Sequence, residues 1–263
     1  KTLDVDAMGR FFPYADVPDI IRNFRRADNA SYNATFTYPE GGAIQYVHAT
    51  AAGVNPDRIC LQEPVLAIDL ERKVATTPTR EIRFEYVISS APFPKLLGMT
   101  NLAHDPSVYS YNKVLVFNLG FDRKGPETDH WVYFPSPDQV FYRIGFYDNI
   151  LGADRMSLYV EIGYPADADI DDAHVAEMKA RTLRDLEATG IIDGHTLVSH
   201  HSIVLDPAYV HITKDSIADV EAKKAQLAER GVYSIGRYGS WTYCSIEDNI
   251  VEARALAEEL GGR

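Results

Sequence analysis

"GRYGSWTYCSIEDNI", Gly236–Ile250, decides how this chain is to be read. It follows a short β-type run, Val232-Tyr233-Ser234-Ile235, and leads into helix formers that end near Leu260. Ser245 is a good N-cap and Asp248 stands three residues on, so the spacing predicts a capping box and a helix that begins directly after the loop. The free N–H groups and the positive dipole end of that helix would point back toward Gly236 and Arg237. A strand, a glycine loop and a helix N-terminus together make an anion site. Gly236 and Gly239 permit close backbone approach, Arg237 adds a fork of donors, and Trp241 and Tyr243 add flat aromatic faces. The pocket expected is one for something planar and anionic. The competing reading is a plain strand–helix connector with Trp241 as a core plug, and an isolated glycine motif does not decide between the two.

The bulk numbers bound the answer. The chain has 263 residues, is 46% hydrophobic and carries a net charge of -12, which is an ordinary globular composition. Neutralising phosphates needs clustered Lys and Arg, so an acidic chain without a basic tract does not read as a nucleic-acid binder. A few local arginines can still recruit a small anion. The two cysteines, Cys60 and Cys244, lie far apart and lack metal-ligand spacing, which fits a reducing cytoplasm. No apolar run approaches membrane-spanning length. The chain opens on Lys1 without a Met, with turn- and helix-like residues at once, as a piece of a longer protein would.

Along the chain, "ADVPDIIRNF" reads as a short helix entered through Pro18, with Ile20, Ile21 and Phe24 on one side. A strand-like start at Asn33 precedes a Pro-Glu-Gly-Gly turn and a helix over 43–52. "RICLQEPVLAIDLERKVAT" alternates as short strands about a charged hairpin. "REIRFEYVISSAPFPKLL" is a further strand with a short helix after it. Tyr111–Phe121, His130–Ser136, Gln139–Tyr147 and Met156–Tyr164 then read as four consecutive strands of an antiparallel meander. A helix from Asp171 or Asp172 to Gly190, a strand "TLVSHHSIVLDPAYV" and a helix closed by Gly231 follow. The last helix puts Ile246, Ile250, Ala253, Ala257 and Leu260 at helical spacing. The class is α+β.

Other candidates read as structural. Adjacent strand residues point to opposite faces, so His200-His201 is a poor metal pair. The acidic run Asp167–Asp172 precedes a helix and lacks the glycine and terminal Glu of a calcium loop. Cys244 has no activating partner in sequence and reads as small filler. Arg143 stays open between an ion pair with Asp138 or Asp148 and contact with a diphosphate, since alternation favours neither.

These residues also carry a resemblance. "GRYGSWTYCSIEDNIVEARALAEEL" resembles the C-terminal flavin-binding segment of the FAD-dependent amine oxidase, protoporphyrinogen oxidase and UDP-galactopyranose mutase superfamily, closest to its mutase-like branch. "FTYPEGGAIQYVHA", "ICLQEPVLAID", "EYVISSAPFPKL" and "FYRIGFYDN" match further segments of that superfamily in the same order. The resemblance implies an α+β fold: an antiparallel or mixed sheet in a substrate domain flanked by helices, plus the C-terminal half of a Rossmann-like FAD-binding domain. Its implied boundaries are 1–40 and 99–215 for the substrate domain and 41–98 and 216–263 for the FAD-binding domain. It implies FAD contacts at Val65, Gly236, Arg237, Glu247 and Asp248, with amides of 246–248 facing the flavin ring. It implies substrate contacts at Arg143, Tyr209 and Tyr243. "AYV" stands where Tyr-Pro is usual, and the strand–GxGxxG–helix unit that binds the FAD pyrophosphate is absent from the sequence.

The expectation is therefore the C-terminal part of a flavoprotein that, by itself, binds FAD weakly or not at all. Mutase-like chemistry on a nucleotide-sugar in polysaccharide or lipopolysaccharide biosynthesis is the first reading. Oxidation of an amine or a porphyrin-like substrate is the second, and a binding domain without catalysis the third. Basic residues around Arg143 and Arg237 would favour a diphosphate; an aromatic, uncharged cage would favour an amine. A homodimer stays open.

Overall fold

The computed structural model describes residues 36–262, together with 3–4, 7 and 17–25. In chain order the helices are α1 (Val17–Arg25), α2 (Ile44–Ala52), α3 (Phe93–Met99), α4 (Tyr147–Leu151), α5 (Asp172–Ala188), α6 (Lys214–Ala228), α7 (Gly236–Gly239) and α8 (Ile246–Gly261). The strands are β1 (Ala67–Asp69), β2 (Val74–Thr76), β3 (Glu81–Arg83), β4 (Val87–Ser89), β5 (Tyr111–Phe121), β6 (Trp131–Tyr133), β7 (Arg143–Phe146), β8 (Ser157–Pro165), β9 (Leu197–Val210) and β10 (Val232–Ser234). They pack as two units. Unit 1 is Lys1–Thr37, Val54–Ser110 and Val210–Arg263; unit 2 is Tyr38–Gly53 and Tyr111–Tyr209.

Unit 2 is organised by one five-stranded sheet in the order β6-β7-β8-β5-β9. Period-2 alternation on β5 turns Leu115, Phe117, Leu119 and Phe121 to one face. There they join Ile144 and Phe146 of β7, Leu158, Val160 and Ile162 of β8, and Met178 and Leu186 of α5. Asp171 caps α5 by accepting from the His174 amide at 2.8 Å. The expected antiparallel pairing holds, but the simple meander does not: β5 pairs with β8 rather than with β6. Alternation sets which face a side chain takes, not which strand is its neighbour. The strand expected over 139–147 is confined to Arg143–Phe146, because Tyr147 already opens α4. The buried Asp148 carboxylate at that start accepts from the Ser157 amide at 3.1 Å and pairs with Lys124.

Unit 1 holds two small sheets. β1, β2 and β3 form an antiparallel sheet, with the charged hairpin between β1 and β2 as expected. β4 and β10 form a parallel pair with Val87 opposite Val232. Phe93, Leu96 and Leu97 of α3, Val220 and Leu227 of α6, Val232, Trp241 and Leu256 supply its buried apolar residues. Ile59 and Leu61, read as strand residues, instead follow a 3₁₀ turn over Pro56–Arg58 and are exposed. Residues 36–39, the described part of the strand expected to start at Asn33, are not in a strand. On α8, Ile246 is 56% and Ile250 49% exposed, and Leu256 is the buried residue. Among the described residues no helix is long and apolar enough to cross a membrane.

Candidate functional site

Unit 1 carries the loop after β10. Ser245 and Asp248 form the capping box: the Ser245 hydroxyl accepts from the Asp248 amide at 3.2 Å, and the Asp248 carboxylate accepts from the Ser245 amide at 2.8 Å. The Asp248 side chain is thereby turned onto its own helix start. The amides of Ile246 and Glu247 have no intrahelical acceptor, as helix geometry requires of a first turn. The loop ahead of the helix is largely self-satisfied. The Gly236 amide donates to Glu252 of α8 at 2.7 Å, and the other Glu252 oxygen accepts from Ser240 at 2.8 Å. A Cβ on Gly239 would stand 2.9 Å from the Ser234 hydroxyl and 3.0 Å from the Ser89 carbonyl. The close approach that Gly239 permits is thus made by its own neighbours, Ser234 and Ser89.

Trp241 is the plug that the connector reading called for. It is buried, with φ at +48, a conformation rare for a bulky residue. The Tyr109 ring meets it edge-on at 5.5 Å, and the Tyr109 hydroxyl donates to Asp219 of α6. Arg237 lies over the Tyr243 ring, 4.3 Å from its centroid. Burial pushes the Cys244 thiol up, which keeps it protonated rather than nucleophilic. Val65 is exposed, between the turn at Leu61–Gln62 and β1, two residues after Glu63. The Glu63 carboxylate accepts from Arg80, Thr79 and Thr77, each at 2.8 Å. Those bonds, Arg80 first, hold Glu63 at about 2, well below its ordinary value.

Unit 2 carries the second site, on the sheet face opposite its core. Tyr133, Arg143, Glu161 and Val116 stand in one cross-strand row, and Trp131, Gly145, Tyr159 and Asn118 in the next. Arg143 Nη2 donates to Glu161 Oε1 at 2.5 Å and to the Tyr209 hydroxyl at 3.1 Å; Nη1 donates to the Tyr133 hydroxyl at 3.2 Å. The Tyr142 hydroxyl donates to the other Glu161 oxygen. The Arg143 guanidinium lies 5.7 Å from the Tyr133 ring and 5.9 Å from the Tyr159 ring. Neither Asp138 nor Asp148 pairs with it, so the ion pair weighed from sequence exists with a different acid. Burial opposes the charge of Arg143, but Glu161 more than offsets it and the guanidinium is pushed up. Burial, then Glu161, pushes the Tyr142 phenol far up, and burial takes Tyr159 to about 12.

Gly145 gives this face its shape. A Cβ there would stand 2.0 Å from the Tyr159 ring, which lies across the glycine. Tyr147 packs on the same ring at 5.2 Å.

Arg143 is thus brought together with Tyr209, and Arg237 with Tyr243. Glu161, Tyr142, Tyr133 and Gly145 were missed from sequence. The available signal was Glu161 itself, the one charged residue between Arg155 and Asp167. Among the described residues no group of three His, Cys, Asp or Glu could hold a metal ion.

With this geometry in place, the comparisons define a class of fold: it is the one shared by solved structures of UDP-galactopyranose mutase, a protoporphyrinogen oxidase and putrescine oxidase. In particular, the chain is similar to reduced UDP-galactopyranose mutase, with a TM-score of 0.84 and 21% identity over 99% of this chain and 60% of that one. A protein from Exiguobacterium sp. 255-15 assigned as a protoporphyrinogen oxidase matches at 0.67, with 16% identity over 83% of this chain and 51% of that one. Putrescine oxidase bound to putrescine matches at 0.58, with 16% identity over 85% of this chain and 54% of that one. The chain thus spans between half and two thirds of the length of these solved chains. No family model and no curated protein sequence matches it.

Proposed function

We propose that this chain forms part of a flavoprotein of the mutase type that acts on a nucleotide-sugar, in the making of a surface polysaccharide or lipopolysaccharide. The observation that carries the reading is the extent of the match. UDP-galactopyranose mutase accounts for 99% of the chain at a TM-score of 0.84, whereas the two oxidases named above leave about a sixth of it without a counterpart and match less closely.

The residues present suit one edge of an FAD. The unbonded first-turn amides of Ile246 and Glu247, at the positive end of α8, favour the negative charge of a reduced flavin. Arg237, held flat on Tyr243, supplies a second donor beside them. Gly236 is occupied by Glu252 and Asp248 by Ser245, so these two would act by shaping the loop and not by touching the cofactor. FAD would supply the redox and covalent chemistry. Arg143, Tyr209 and Tyr133 would donate to diphosphate oxygens, and the Tyr159 and Tyr147 rings would exclude water.

A second reading rests on charge. Arg143 and Glu161 cancel, and tyrosine rings surround them, as expected of an oxidase that admits an amine. The test is a visible spectrum of the polypeptide carrying this chain together with its FAD pyrophosphate unit, followed by incubation with UDP-galactopyranose under reducing conditions. Flavin bands and conversion of the sugar are expected. Flavin bands with turnover of a diamine instead would favour the oxidase. A colourless protein that ignores added FAD would overturn both.

A further inference from the structure

We infer that Glu161 is a positioning residue: it holds Arg143 by one amino group so that the other, together with the phenol of Tyr133, meets an anionic oxygen of the ligand. The inference rests on the diphosphate reading for the identity of that oxygen, and on the geometry of unit 2 for everything else.

Glu161 is 8% exposed and stands directly opposite Arg143 in the β7–β8 register. Both of its oxygens are used, one by Arg143 Nη2 and one by the Tyr142 hydroxyl, so the carboxylate is fixed in plane and rotation. The guanidinium is fixed in turn. Nη2 is shared between Glu161 and Tyr209, and the rings of Tyr133 and Tyr159 flank the group. Arg143 Nε is enclosed, with no hydrogen-bond partner among the described residues. A bidentate grip of Nε and Nη2 on the carboxylate would have satisfied it, but Tyr142 takes the second oxygen. The tether is therefore single, through Nη2.

That leaves Nη1 as the reachable donor. Its acceptor is the Tyr133 hydroxyl at 3.2 Å, on a residue 59% exposed. This is a long bond to a neutral oxygen. An anionic oxygen makes a charge-assisted bond, shorter and about twice as strong, and displaces such a partner. Tyr133, released from Nη1, then turns its own hydroxyl proton to the same oxygen. The site attracts by directed donors and not by net charge, since Glu161 offsets Arg143. Pre-placed donors lose little freedom on binding, which is the advantage a single tether confers.

The consequence runs against simple electrostatics. Removing Glu161 leaves the site one unit more positive, yet should weaken an anion's grip, because Arg143 is then free to reorient. The test is UDP affinity by calorimetry for the 263-residue chain, E161Q and E161A, with an Arg guanidinium NMR readout on each. E161A is expected to bind about tenfold more weakly, roughly one charge-assisted contact's worth of orientation, and E161Q to fall between it and the parent. Rotation about the Arg143 guanidinium bonds is expected to be slow in the parent and fast in E161A. A folding role alone would lower Tm and leave both readouts in place. UDP affinity unchanged or tighter in E161A would overturn the proposal. If the parent ignores UDP, the diphosphate reading fails, and the NMR comparison decides the positioning role by itself: rotation still slow in E161A overturns it.

Discussion

The two units of this chain solve the burial problem differently. In unit 2 a single sheet of 3–14-residue strands turns one face to α5 and closes a core with no break from Leu115 to Leu186. In unit 1 the strands are three residues long, and β4 and β10 stand as a parallel pair. Parallel strands are ordinarily buried on both faces, and a sheet of two is marginal by itself. Ile88 on β4 is nonetheless 53% exposed, and Ile246, Ile250 and Val251 make an apolar row along α8. Unit 2 closes one continuous core, although Val198 and Ile203 on β9 are 56% and 46% exposed; unit 1 has no sheet of that size and shows apolar surface on β4 and α8 that the described residues do not cover.

The sharpest way to break that contrast is to compare substitutions across it. Phe117→Ala in the unit 2 core should cost about 3–5 kcal/mol in urea unfolding. Ile88→Ser and Ile246→Ser should stay within about 0.5 kcal/mol. A loss at Ile246 as large as that at Phe117 would mean the face is covered in solution.

The two arginine sites differ in the same spirit. Arg143→Ala strands the buried Glu161 carboxylate and should cost about 3 kcal/mol, much of it recovered in the double variant with Glu161→Ala. Arg237, laid on a tyrosine face, should cost no more than about 1 kcal/mol when replaced by Ala. Equal losses in thermal unfolding would erase the distinction. Gly145→Ala should displace the Tyr159 ring and cost about 1–3 kcal/mol, read as a change in near-ultraviolet circular dichroism. The smallest effect concerns acid. Glu63 sits at about 2 in the fold against 4.5 ordinarily. Because the folded value is lowered, its stabilisation is present above 4.5 and is lost as pH falls through about 2. The Thr77 and Thr79 hydroxyl contacts should thus persist at pH near 3 in NMR spectra, and their loss on further acidification should be absent in Glu63→Gln, whose amide oxygen still accepts but does not titrate.

Much of the architecture was legible in the residues. The strand-forming run between turn residues located β5 from Tyr111 to Phe121 to the residue, and Ser245-x-x-Asp248 located the start of α8 with its capping box. What periodicity does not carry is the neighbour. β5 lies beside β8 because of tertiary packing that no local pattern encodes. The buried side of α8 is not legible in the spacing for a related reason. Hydrophobic spacing pointed to Ile246 and Ile250, while the inward side holds Glu252, whose oxygens are spent on Gly236 and Ser240. Polar residues that bury by satisfying backbone look, in sequence, like solvent-facing ones. Glu161 escaped notice for a different reason, since its carboxylate is held by the side chains of Arg143 and Tyr142. Arg143 and Tyr209 were singled out from sequence and do meet, but the acid that holds them together sits in a strand that reads as core.

Trp241 has one more consequence. The chain has two tryptophans, and they fall one to each unit: Trp241 buried in unit 1 and Trp131 half-exposed on the aromatic face of unit 2. The protein therefore carries a separate optical probe in each unit. A blue-shifted emission component should report the seating of the loop after β10, and a red-shifted, quencher-accessible one should report events beside Arg143. Order of melting, and which unit a bound molecule touches, can be followed by colour in the unlabelled chain.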